Sequence, residues 1–74
     1  MKKLTDKQRV VLNWITSYVH TFGYAPVQKE IAENTCIRYQ SNVRLYLQLI
    51  EKKGYLRFDP TVPRGITLLQ NDME

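Results

Sequence analysis

Residues 28–54 read QKEIAENTCIRYQSNVRLYLQLIEKKG, a short helical pattern and a longer one with a break between them. The first runs from about Val27 or Gln28 to Asn34, with Ile31 and Ala32 facing inward and Lys29, Glu30 and Glu33 outside. Its N-cap falls on Val27, which offers no oxygen to the free N–H groups of the first turn. Relative to Ser or Thr this is expected to cost about 1 kcal/mol, unless Gln28 or a bound partner compensates. Thr35 to Tyr39 then make a four- or five-residue connection. The longer helix runs from about Gln40 to Lys53 and is stopped by Gly54. Its inward set is Val43, Tyr46, Leu47 and Ile50, at i, i+3, i+4 and i+7. At about 100° per residue, Ser41, Arg44, Leu45 and Gln48 gather on the opposite face. That face mixes hydrogen-bonding groups with one apolar side chain and carries no acid. A plain solvated face usually holds more Glu and Lys, whereas this mixture suits the base edges of a major groove.

Upstream, a further helix is expected from Thr5 to about Phe22. Thr5 and Gln8 have the spacing of a capping box. Val11, Trp14, Ile15, Tyr18, Val19 and Phe22 recur at helical spacing, Gly23 suits a left-handed C-terminal residue, and Pro26 closes the loop. Trp14 and Tyr18 are read as core packing rather than as a ligand-stacking pair. Downstream the period changes to that of strands. Tyr55–Phe58 and Ile66–Leu69 flank Asp59-Pro60-Thr61-Val62-Pro63-Arg64-Gly65, whose two prolines and glycine suit a tight connection. A two-stranded hairpin is marginal in water, so it must pack on the helices. The fold class is therefore α+β, mainly α: three helices followed by a two-stranded β-hairpin. Residues 1–70 form one domain, and 71–74 a short acidic tail that frays.

Composition narrows the chemistry. A chain of 74 residues has room for one small domain, and 43% hydrophobic with 24% charged residues is a globular balance. No apolar run approaches the ~18 residues of a membrane span, and Met1–Asp6 has no apolar leader core. One cysteine permits no internal disulfide and suits a reducing cytoplasm. His20 and Cys36 cannot make a four-ligand zinc site; they read as a surface side chain and a small apolar filler. With scattered carboxylates and no glycine-rich loop, neither catalysis nor a metal or other cofactor is expected. The net charge of +4 points instead to a polyanion, nucleic acid first.

A helix, a short turn and a helix with a polar outer face make a helix-turn-helix, and a following hairpin makes it winged. Three-helix domains also serve as protein-binding modules, so the pattern alone leaves both classes open. The residues add a resemblance. Leu4-Thr5 with Gln8, Gly23-Tyr24-Ala25-Pro26, Glu30-Ile31-Ala32, Lys53-Gly54 and Arg64-Gly65-Ile66 stand in the order and spacing of the N-terminal DNA-binding domain of LexA, the bacterial SOS repressor family. The likeness is ungapped over about residues 4–70. The wing, Asp59-Pro60-Thr61 with Pro63-Arg64, is most similar to Gram-positive members.

The resemblance implies a winged domain that lays its third helix in the major groove of operator DNA. Carried over by position, base reading falls to Tyr39, Ser41, Asn42, Arg44 and Leu45, and Gln48 lies one turn further on. Arg44 suits paired hydrogen bonds to guanine, Asn42 adenine, and Leu45 a thymine methyl. Phosphate contacts are expected from Gln28 and Lys29 at the start of the second helix, and from Arg38, Gln40, Lys52, Lys53 and, at the wing, Arg64. Two departures stand out. Thr35-Cys36 replace the family's usual Leu-Gly turn, so Cys36 must avoid positive φ or tolerate it at a cost. The stretch Tyr39–Tyr46 differs from the common versions, so the operator need not be the SOS box.

LexA proteins continue into a second domain for dimerisation and self-cleavage, which does not fit in 74 residues. No peptidase activity is expected of this chain. A lone module discriminates poorly, since each wrong base pair costs only ~1–3 kcal/mol. Two linked half-sites gain by effective concentration, so a homodimer on DNA or a partner protein is expected, with Leu45 and Leu49 as a candidate apolar contact. Three readings follow. The first is a stand-alone regulator of double-stranded DNA, repressor or activator, of bacterial, phage or mobile-element origin. The second is a module that binds a host regulator or RNA polymerase. The third is the excised N-terminal part of a longer self-cleaving repressor.

Overall fold

The computed structural model describes residues 3–35, 37 and 39–69. The expectations for Cys36, Arg38 and the tail from Gln70 onward lie outside the described residues. Helices α1 (Asp6–Phe22), α2 (Gln28–Asn34) and α3 (Gln40–Lys52) are followed by strands β1 (Leu56–Phe58) and β2 (Ile66–Leu68). Among the described residues, no helix is long and apolar enough to cross a membrane.

Helix α1 opens with the expected reciprocal cap. The Gln8 N–H donates to Thr5 Oγ1 and the Thr5 N–H to Gln8 Oε1, both at 3.1 Å. Gln8 is buried, and its Oε1 also accepts from Lys53 Nζ at 2.6 Å, so the start of α1 is joined to the end of α3. At the other end Gly23 takes φ 81° and donates to the Val19 carbonyl at 2.8 Å. Val11 and Ile15 are fully buried, while Trp14 and Val19 pack at the edge of the core. Phe22 departs from the expectation. It lies at the right angle on the helix but is 54% exposed. Phe22 is the last residue of α1, two turns beyond Ile15, the last buried residue of that helix, or about 10 Å along the axis at ~1.5 Å per residue. Tyr18 and Tyr24 pack against Phe22 there, with ring centroids 4.5 and 6.1 Å away.

Helix α2 begins after a fully buried Pro26, with Val27 as N-cap. Valine has no acceptor for the first-turn N–H groups, and no side-chain cap is made there. Glu30 Oε1 accepts the Val27 N–H at 2.8 Å, which is half of a capping box. Glu30 was expected on the solvated side, and it is instead half-buried. Ile31 is fully buried, and Thr35 Oγ1 closes the helix by donating to the Ile31 carbonyl at 2.7 Å.

Helix α3 buries Val43, Leu47 and Ile50 completely, as its period requires, with Tyr46 half-buried. Gly54 follows at φ 93°. The strands are antiparallel, pairing Leu56 with Leu68, Arg57 with Thr67 and Phe58 with Ile66. Leu56, Phe58 and Ile66 face the core, and Arg57 and Thr67 face solvent. Glu51 Oε2 accepts the Phe58 N–H at 3.2 Å, pinning the hairpin to α3.

The wing tip is wound tightly. Asp59 Oδ1 accepts both the Thr61 N–H at 3.0 Å and the Thr61 hydroxyl at 2.6 Å, which holds the Asp59 carboxyl below its ordinary range. The left-handed residue here is Arg64, at φ 57°, and not the glycine. Gly65 is needed for space, because a Cβ there would collide with the Asp59 and Val62 carbonyl oxygens. Both atoms are backbone and cannot swing away. Gly65→Ala is expected to destabilise the domain by about 1–3 kcal/mol, the usual range for overpacking. Thermal unfolding is the check: a midpoint within a degree of wild type would remove the crowding argument.

Candidate nucleic-acid interface

Helix α3 carries the face singled out by its sequence. Ser41, Asn42, Arg44, Leu45 and Gln48 are all exposed, and Leu45 is 53% exposed beside a more shaded Leu49. Tyr39, the N-cap of α3, is 64% exposed. Arg44 is the one charged side chain among residues 39–48, so no acid opposes a polyanion there. None of these side chains makes a hydrogen bond or ion pair with another described residue. Their polar groups are therefore available to a ligand.

The residues expected to hold phosphates divide into two groups. Gln28 and Lys29 on the first turn of α2, and Gln40 on the first turn of α3, line one groove with the wing segment Pro60–Gly65. The groove encloses about 390 Å³. Lys52 is exposed at the end of α3, beside a shallow hollow formed with Leu45, Gln48, Leu49 and Glu51, whose Oε2 is taken up by the Phe58 N–H. The cationic ends of Lys53 and Arg64, by contrast, are engaged inside the domain. Lys53 Nζ is held by Gln8. Arg64 Nη1 donates to the Ala25 carbonyl at 2.8 Å, to Glu30 Oε1 at 3.3 Å and to the Tyr18 hydroxyl at 3.5 Å. Its guanidinium also lies 4.7 Å from the centre of the Tyr24 ring. Tyr18 in turn donates to Glu30 Oε2 at 3.1 Å.

Sequence reasoning overlooked this cluster of Tyr18, Tyr24, Glu30 and Arg64. Part of it carries a local signal, since Glu30 stands three residues after the N-cap, where a carboxylate caps the backbone. The link from Glu30 to Arg64 spans 34 residues and has no such signal.

The cluster makes Glu30 sensitive to acid. Its carboxyl is held below the ordinary range chiefly by the Val27 N–H; burial, next in size, opposes this, and the Tyr18 hydroxyl and the Arg64 guanidinium each lower it further by less. The unfolded chain therefore binds this proton more tightly than the folded one. Stability from Glu30 is complete above the ordinary glutamate range and is lost as pH falls through the lowered folded value. Melting curves at stepwise lower pH should show Glu30→Gln losing less stability than wild type on this acid limb. Parallel limbs would contradict the assignment.

A helix-turn-helix with a hairpin wing, an outer face free of acids over residues 39–48 and a groove edged by helix N-termini is the plan of a winged nucleic-acid-binding domain. The comparisons agree with that class. The family profile described as the LexA DNA binding domain matches residues 1–65. The chain is 44% identical over 73 residues to the LexA repressor of Geobacillus kaustophilus (strain HTA426), covering 99% of this chain and 35% of that protein. It is 39% identical over 74 residues to the LexA repressor of Staphylococcus carnosus (strain TM300), covering 100% and 36%. The LexA repressor of Caldicellulosiruptor saccharolyticus matches at 41% over 71 residues, covering 96% and 35%. The chain belongs to the LexA DNA binding domain family, and it spans about a third of the length of these relatives.

Proposed function

We propose that this domain binds double-stranded DNA at a specific sequence and regulates transcription there, as a repressor where its site overlaps a promoter and as an activator where it lies upstream. The observation that carries the reading is the continuity of the surface. The outer face of α3 carries no acid from Tyr39 to Gln48, and Gln40 on its first turn lines the groove in which Gln28 and Lys29 meet the wing. Tyr39, Ser41, Asn42, Arg44, Leu45 and Gln48 read base edges. Gln28, Lys29, Gln40 and Lys52 contact phosphates, and Arg38, Lys53 and Arg64 add positive charge to the domain. Residues 1–70 act as one unit, with 71–74 a short acidic tail. The setting is the cytoplasm of a bacterium, the gene being its own or that of a phage or mobile element.

The test is a binding selection on random duplex DNA, followed by titration of an enriched site at several salt concentrations. One sequence family should be enriched, and affinity should fall with salt in proportion to the phosphates contacted, about 0.9 in log–log slope for each. Failure of any sequence to be enriched overturns the proposal.

The exposure of Tyr39, Leu45 and Leu49 supports contact with protein as well. We assign this to a second copy of the chain on an adjacent half-site, with Leu45 and Leu49 at the junction. Mass measurement on DNA checks the stoichiometry. Capture of a host regulator or RNA polymerase that survives high salt, with no DNA sequence enriched, would favour an interaction module instead. No catalytic step is part of the proposal.

A further inference from the structure

We infer that Arg64 is a positioning residue for DNA binding and not a phosphate ligand: with Glu30 it ties the wing to the start of α2 and so sets the width of the groove between them. The inference rests on the DNA-binding reading above and concerns how that site keeps its shape.

Four contacts lay the Arg64 side chain, still 39% exposed, against the body of the domain. Its Nη1 reaches the Ala25 carbonyl, the Glu30 carboxylate and the Tyr18 hydroxyl, and its guanidinium lies over Tyr24. The four partners belong to α1 (Tyr18), to the segment between α1 and α2 (Tyr24 and Ala25) and to the first turn of α2 (Glu30), and none to the wing. Glu30 does two jobs with the same oxygen, since Oε1 also accepts the Val27 N–H that caps α2. One carboxylate thus fixes both the first turn of α2, bearing Gln28 and Lys29, and the wing that faces it. Arg64 is also the one residue other than glycine with positive φ among the described residues. A non-glycine residue keeps that conformation only where its surroundings hold it, and these contacts supply the hold. The neighbouring Gly65 leaves the wing tip no room to relax, because its own approach to Asp59 and Val62 is already close.

The two roles for Arg64 predict opposite signs at Glu30. Glu30 is an acid beside a phosphate-binding groove, so neutralising it favours DNA binding by charge alone and frees Arg64 to reach a phosphate. If the pair is a tether, neutralising it loosens the groove and weakens binding despite the better charge. Glutamine keeps an oxygen for the Val27 N–H, so the cap of α2 survives the change.

The experiment titrates the full chain against a site enriched by wild type, for Glu30→Gln, Arg64→Lys and the double variant, at several salt concentrations. Thermal melts establish that each protein is folded. Glu30→Gln should bind roughly fivefold or more weakly with the salt slope preserved. Arg64→Lys keeps the charge but not the fork geometry, and should weaken binding to a similar extent. The double variant should be no weaker than the worse single one, as expected of partners in one contact. Arg64→Lys binding like wild type, with Glu30→Gln equal to or tighter than wild type, overturns the tether and restores Arg64 as a phosphate ligand. A wild type that enriches no sequence fails at the earlier step, before Glu30 and Arg64 are compared, and takes this inference with it.

Discussion

Arg44→Ala should weaken binding to an enriched site by roughly 5- to 150-fold, corresponding to the 1–3 kcal/mol of a paired arginine–guanine contact. It should also relax sequence preference at one position of each half-site. Arg44 stands near the middle of the exposed face of α3, a turn beyond Gln40, and holds no hydrogen-bond or ion-pair partner among the described residues. Its guanidinium can meet two acceptors of one base without first breaking an internal contact. Stability should be nearly unaffected, because an exposed helical arginine gives way to a residue of slightly higher helix propensity. The comparison that sharpens this result is Lys29→Ala or Lys52→Ala. Loss of a phosphate contact weakens binding to all sequences alike and lowers the salt slope by about one unit. If Arg44→Ala behaves like the lysine variants, with the enriched motif unchanged, α3 does not read bases through Arg44.

Leu47→Ala should have the largest effect on the fold itself. Leu47 is fully buried, two residues from the exposed Leu45 and on the opposite side of α3. Truncating a buried leucine costs about 2–5 kcal/mol. Domains typically have about 5–15 kcal/mol in total, and one of this size sits toward the bottom of that range. A fall in melting midpoint of at least about 10 °C is expected, at 4–8 °C per kcal/mol for chains of this length. Leu45→Ala should leave the midpoint within a few degrees and act on DNA binding instead. The two substitutions use the same chemistry on one helix, so they separate packing from recognition. Equal effects on stability would mean that the register of α3 is wrong.

How much of this was legible in the chain depends on the distance over which each interaction acts. The helix boundaries were readable because Thr5 with Gln8, Gly23 and Gly54 act within a turn of where they stand. The face of α3 was readable because an amphipathic helix repeats its environment every turn. Phe22 was misplaced because periodicity reports an angle around the axis and says nothing of how far along it burial extends. Glu30 was put in solvent because its partners come from three places: Val27 beside it, Tyr18 on α1 and Arg64 on the wing. Arg64 looked like a free cation for the same reason. Charge is visible in a sequence, but the carboxylate that occupies it becomes visible only after folding. Ser41, Asn42, Arg44, Leu45 and Gln48 are exposed as their spacing encodes, which is the part of the site that a helical period can report.

The absence of internal partners for the outer face of α3 bears on how such a domain diversifies. Gln8 with Lys53, and Glu30 with Arg64, are held jointly, so a change at one position of either pair disturbs its counterpart. Positions 41, 42, 44, 45 and 48 carry no such hydrogen-bonded obligation to the other described residues. Substitutions there are nearly free of folding cost, and a lineage can try new operators one residue at a time while its scaffold stays unchanged.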